Sequence, residues 1–215
     1  MGLTSLFLEM ENKNVLIVGT GSVGIRRSKR FLEANANVDI VTKEIDEEVK
    51  DELIEMGATF HQNDKLDELI SNCDLVVVAT NDLELNREIS LKAKDKLVNC
   101  ASDISLSNVI VPSTFKIGSV TVSLYTDSKS PLMAKELRKK IQKNISEVDI
   151  LKIELQEHIR TLLKEHLDDQ AERKKHMVLL NNDETVNELL EKRKIEDAKK
   201  YVENYILDLK DKLKN

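Results

Sequence analysis

Three glycines, Gly19, Gly21 and Gly24, stand in G-x-G-x-x-G spacing directly after the apolar run NVLIV at residues 14–18. In that pattern the first glycine permits a tight turn, the second leaves room for a pyrophosphate against the backbone, and the third lets a helix pack closely on the strand. Ser22 and Val23 open the helix, where unpaired N–H groups attract a diphosphate. The chemistry predicted is dinucleotide binding. Four cations, Arg26, Arg27, Lys29 and Arg30, follow at once. One or two of them can reach phosphate or substrate, with the others left as a solvated helix face.

Two further positions belong to the same expected site. The acid that commonly binds the cofactor ribose stands near the end of the second strand, about 20 residues on. Here that end reads Val41-Thr42-Lys43, with Asp39 earlier, so Thr42 is the candidate and the position does not decide between NAD and NADP. After the fourth strand, Thr80 and Asn81 fall where a parallel sheet exposes residues to a cofactor, whereas Asp82 fits a turn equally well.

These residues need a scaffold that the hydrophobic pattern supplies. NVLIV (14–18), NVDIV (37–41), ATFH (58–61), DLVVVAT (74–80) and KLVNC (96–100) are short aliphatic runs, mostly separated by helical patterns. Alternation of strand and amphipathic helix predicts a parallel, Rossmann-like α/β sheet covered on both faces. A second region, 108–125, predicts a small β-element from NVIV and SVTVSLY joined across KIG. Ser130-Pro131 reads as an N-cap and first helical position. The Lys-, Glu- and Leu-rich tail from about 146 predicts two or more amphipathic helices with a break at NND, 181–183.

Composition narrows the function class. A formal charge of −6 disfavours general nucleic-acid binding, which calls for a broad basic face. No segment reaches about 18 uncharged apolar residues, and the N-terminus lacks a basic start with a long apolar run, so a cytoplasmic protein without a membrane partner is expected. Cys73 and Cys100 lack CxxC spacing and read as reduced, buried thiols. His158, His166 and His176 are spaced by eight and ten, unlike a helix-borne i, i+4 pair, and no metal site is expected.

In order and spacing, GTGSVGIRR, VVVATND, VNCASDISLSNVIVPS and SKSPLMAKELRKKI resemble the siroheme-synthase N-terminal module, the family of precorrin-2 dehydrogenases and sirohydrochlorin ferrochelatases, over residues 1 to about 145. The resemblance implies a homodimer with a Rossmann NAD-binding domain (1–112), a dimerisation region (113–145) and a helical part (146–215) closing a tetrapyrrole cleft. It implies oxidation of precorrin-2 to sirohydrochlorin by NAD, with Fe(II) as a chelatase substrate in some members. A substrate rich in carboxylates needs local cations, so Lys116, Lys129, Lys135 and Arg138 become candidates, with Thr126 and Ser130 as hydrogen-bonding partners.

Two departures from the family pattern matter. The catalytic aspartate of the N-x-x-D element falls on Ser102 in an ungapped match beginning at Asn99, with Asp103 one place later. Asp103 is therefore the candidate carboxylate against a plain turn role, Ser102 a candidate donor, and Asn99 a cofactor or loop-orienting residue. In TDSKSP, 126–131, Asp127 and Ser128 replace the family's usual glycines, which predicts a different loop shape. Both place iron insertion in more doubt than cofactor binding. The competing function class is a dinucleotide-sensing module whose helical tail contacts another protein, without turnover.

Overall fold

The computed structural model describes residues 2–213, and the chain divides into two compact units at the Val111–Pro112 bond. In the first unit β1 (Asn14–Val18), β2 (Asn37–Val41), β3 (Thr59–His61), β4 (Leu75–Val78) and β5 (Leu97–Cys100) form a parallel sheet in the order β3-β2-β1-β4-β5. Helices α1 (Ser22–Leu32), α2 (Glu47–Glu55), α3 (Leu66–Asn72) and α4 (Leu83–Lys92) make the crossovers. Strand order reverses between β1 and β4, which opens a crevice at their carboxyl ends.

The aliphatic strands are buried on both faces. Val15, Ile17, Val38, Ile40 and Val77 pack with Phe31 and Leu32 of α1, whereas Leu16, Val18, Val76, Val78 and Val98 pack with Ile70 and Ile89 of α3 and α4. Two-sided burial explains why the strands read as continuous apolar runs rather than as alternation. Asp46 and Asp82 cap α2 and α4 by accepting backbone N–H bonds. Cap chemistry thus accounts for Asp82.

The expected strand NVIV is corrected. Residues 108–111 instead form a strap along β5: the Asn108 and Val109 N–H groups both donate to the Val98 carbonyl, and Asn108 Oδ1 accepts from Val98 N–H at 2.7 Å. Val109 and Val111 pack onto the sheet, so their apolar character serves the core without a ladder. Pro112, which has no N–H, then stands before the strand that does form. That strand is β6 (Ser113–Ile117), paired antiparallel with β7 (Val120–Leu124) around a turn at Gly118, φ +54°.

The second unit continues with α5 (Pro131–Asn144), α6 (Glu147–His166), α7 (Gln170–Asn181), α8 (Glu184–Glu191) and α9 (Ile195–Leu213). Ser130 accepts from Met133 N–H with Pro131 following it, Ser146 and Asp149 form a capping box, and the NND break ends α7 and caps α8 through Asp183. Leu155, Ile159 and Leu163 on α6 meet Ala198, Val202 and Ile206 on α9, two stripes at fourfold spacing. Among the described residues no helix is long and apolar enough to cross a membrane.

Asp127 and Ser128 both adopt positive φ, +54° and +56°, the region glycine favours. The backbone here is left-handed without glycine. Asp127→Gly is expected to raise stability by up to about 1 kcal/mol, read as a higher denaturant midpoint at unchanged slope. Gly24 carries the opposite constraint, because a Cβ there would lie 2.0 Å from the Gly19 carbonyl oxygen. Gly24→Ala should cost roughly 1–3 kcal/mol and lower the melting temperature; an unchanged melt would refute close packing at this turn.

Candidate active site

A cleft of about 440 Å³ lies at the carboxyl edge of β1, β2 and β4. Gly19, Gly21, Thr42, Thr80 and Asn81, five of the candidate cofactor residues, line it together. Gly19 has φ +94°, and a Cβ there would come within 2.9 Å of Thr80 N, so the turn presses backbone to backbone against the end of β4. Gly21 differs: a Cβ on it would meet nothing within 4 Å, which leaves open space beside the first turn of α1. The arrangement fits a dinucleotide, with the α1 N-terminus supplying N–H donors and partial positive charge.

Several wall residues escape the motif reading. Thr20 Oγ1 and Thr42 Oγ1 lie 2.7 Å apart, and both hydroxyls reach the Glu44 carbonyl, at 2.9 and 3.0 Å. Lys43, Glu44 and Asn63 complete that side. Asp39 is engaged elsewhere, with its carboxylate 2.7 Å from His61 Nε2. Ser22, Val23 and Gly24 begin α1 but are not among the residues lining the cleft, and Asn99 is not either.

The cations after the glycine turn separate by direction. Lys29 pairs with Glu52 of α2 at 2.5 Å. Arg27 donates to Asn99 Oδ1, and Asn99 Nδ2 donates on to the Val109 carbonyl at 2.9 Å. Burial, then repulsion from Arg26 and Arg30, pulls the Arg27 guanidinium down to about 10. Asn99 therefore joins α1 to β5 and to the strap.

Beyond β5 the two candidate groups part. Ser102 Oγ accepts from Asn86 Nδ2 at 3.0 Å and lies 3.4 Å from Cys100 Sγ. Asp103 is exposed, and its carboxylate accepts from the Ser105 hydroxyl and N–H at 2.7 and 2.8 Å. Those bonds, the hydroxyl first, hold it below the usual carboxylate range. Both cysteines are free and buried. Burial pushes the Cys73 thiol up to about 11. At Cys100 burial acts in the same sense but is outweighed by hydrogen bonds, led by the Ser102 side chain, so that thiol is lowered.

The substrate candidates all belong to the second unit. Thr126 Oγ1 donates to the Ser130 carbonyl at 3.2 Å, and Lys129 pairs with Asp127 at 3.0 Å. The Arg138 guanidinium lies 5.7 Å above the Phe115 ring centroid. Among the described residues no group of three or more His, Cys, Asp or Glu side chains is placed to hold a metal.

The family model described as NAD(P)-binding matches residues 6–113. A provisionally assigned precorrin-2 dehydrogenase of Methanocaldococcus jannaschii is 35% identical over 197 residues, covering 87% of this chain and 94% of that protein. This chain belongs to the precorrin-2 dehydrogenase and siroheme-synthase N-terminal module family. Another member, the precorrin-2 dehydrogenase of Bacillus subtilis, is 34% identical over 65% of this chain and 87% of its own. A siroheme synthase of Mannheimia succiniciproducens is 29% identical over 94% of this chain but only 43% of its own length. Among solved structures, SirC, a precorrin-2 dehydrogenase, superposes with a TM-score of 0.77 at 25% identity, covering 94% of this chain and all of that one.

Membership in this family makes the glycine turn testable apart from catalysis. Gly21→Asp puts bulk and negative charge into the open space, and should weaken dinucleotide affinity by about 100-fold or more while leaving the melting temperature unchanged. Normal affinity, read by calorimetric titration, would contradict the turn as the diphosphate site.

Proposed function

We propose that this protein oxidises precorrin-2 to sirohydrochlorin with NAD, in siroheme or related tetrapyrrole biosynthesis. The observation that carries the reading is a glycine-turn cleft at the strand-order switch, in a chain that aligns along most of its length with precorrin-2 dehydrogenases. Gly19, Gly21, Thr42, Thr80 and Asn81 hold the dinucleotide in this reading, and the first N–H groups of α1, at Ser22 and Val23, are assigned to its diphosphate. Bound there, the nicotinamide supplies the hydride acceptor. NAD is preferred to NADP on the family resemblance.

Oxidation removes a hydride and a proton from the macrocycle. Asp103, kept ionised by its two bonds to Ser105, is the group assigned to take that proton, and Ser102 is assigned to donate a hydrogen bond beside it. Thr126, Ser130, Lys129 and Arg138 receive substrate carboxylates in this reading. The hairpin and α5 serve as the dimerisation region, and the helices from α6 onward close over the tetrapyrrole. Iron insertion is left out, because Ser102 takes the position of the family's aspartate; Fe(II) would be the substrate of a separate step.

The test is an anaerobic assay with precorrin-2 and NAD, following NADH and the tetrapyrrole spectrum before and after Fe(II). NADH with sirohydrochlorin and no iron product supports the reading; dinucleotide binding without either product supports a sensing module instead. Asp103→Ala should retain dinucleotide affinity and lose about 10²–10⁴-fold in turnover. Because its carboxyl lies below the usual range, wild-type turnover should hold as the pH falls towards that range. Full turnover by the alanine variant would reduce Asp103 to a cap of the turn at 104–106.

A further inference from the structure

Asn86 lies in the first half of α4 and is fully buried. It shares the buried side of the helix with Ile89 and Ser90, whose hydroxyl donates to the Asn86 carbonyl at 2.7 Å, and an unpaired side-chain amide there would cost free energy. Its amide is instead fully used. Oδ1 accepts from the Thr80 hydroxyl at 2.5 Å and from Thr80 N–H at 3.3 Å, while Nδ2 donates to the Thr80 carbonyl at 2.9 Å and to Ser102 Oγ at 3.0 Å. Four bonds from one amide reach two strand ends. Thr80 forms part of the cleft wall against which the glycine turn rests, and Ser102 begins the loop that carries Asp103.

The geometry points to Asn86 as a positioning residue that sets the loop after β5 in register with the cofactor wall at the end of β4. It touches neither cofactor nor substrate in this assignment. Its effect passes through Ser102, the one exposed end of the network, while the bonds to Thr80 anchor the amide. A main-chain ladder joins β4 and β5 only as far as Val78 and Cys100, with one further bond from Ala101 N–H to the Val78 carbonyl. Beyond those bonds the Asn86 side chain bridges the two strand ends, bonding Thr80 on one side and Ser102 on the other. Hydride transfer depends steeply on placement, with errors near 1 Å costing about 100-fold. The assignment of Asn86 to this reaction rests on the dehydrogenase reading; its effect on the loop does not.

Asn86→Ala, Ser102→Ala and the double variant of the full chain test it, with calorimetric titration of NAD, steady-state turnover of precorrin-2 and amide exchange of residues 101–107. Each single variant is expected to lower kcat by about tenfold or more with KM for precorrin-2 within about threefold, and the double variant to be no slower than the slower single. Losses that multiply in the double variant would overturn the coupling, as would an Asn86→Ala enzyme within about twofold of wild type. Faster exchange of 101–107 in either variant, with β4 still protected, is expected whether or not the wild type turns over; unchanged exchange overturns the assignment. An inactive wild type with a loosened variant loop would sink only the dehydrogenase reading. Should Asn86→Ala fail to fold, Ser102→Ala deletes the bond from its exposed end and is judged by the same exchange result.

Discussion

The turn from β1 into α1 can exist only where two backbones touch without side chains between them. Gly24 sits under the Gly19 carbonyl, and Gly19 rests on the Ala79–Thr80 peptide. This contact fixes three things together: the angle at which α1 leaves the sheet, the direction of its first N–H groups, and the spacing of β1 from the end of β4. A side chain at either glycine would separate the helix N-terminus from the strand-order switch, and the cleft depends on their being adjacent.

Around that contact the protein handles charge locally rather than through its net balance. The overall charge is negative, yet two of the α1 cations take unlike partners, Lys29 the carboxylate of Glu52 and Arg27 the amide of Asn99. Arg27 is the more constrained of these two because burial and like charges both act against it. It is held by a neutral oxygen, so its charge is not cancelled within the bond it makes. The amides of Asn86 and Asn99 thus add neutral hydrogen bonds to the main-chain ladder that ties the end of β5 to the rest of the sheet.

Much of the sheet is legible because two-sided burial leaves few residue types available, and NVLIV and NVDIV coincide with their strands. The glycine spacing is legible for the same steric reason. NVIV misleads because apolar character reports burial and not pairing: its valines pack onto the sheet, while the bonds at the start of the strap hook onto β5. Asn86 is invisible to motif reading, since its value lies in contacts 6 and 16 residues away. The sequence signal for it is an amide three residues before Ile89, on the buried side of the helix. Asp127 and Ser128 show the limit of composition as a guide to backbone shape, because residues other than glycine hold left-handed φ there.

The strap has a consequence for the sheet as an object in a crowded solution. β5 is an edge strand, and its outward groups would ordinarily invite a foreign strand. Here Asn108 takes both the N–H and the carbonyl of Val98, and the Ser107 hydroxyl meets the N–H and carbonyl of Cys100. The opposite edge, β3, is only three residues long. The chain thus seals one margin of its sheet with the side chains and main-chain N–H groups of its own strap and keeps the other too short to template growth, which guards a strongly aliphatic sheet against edge-to-edge aggregation.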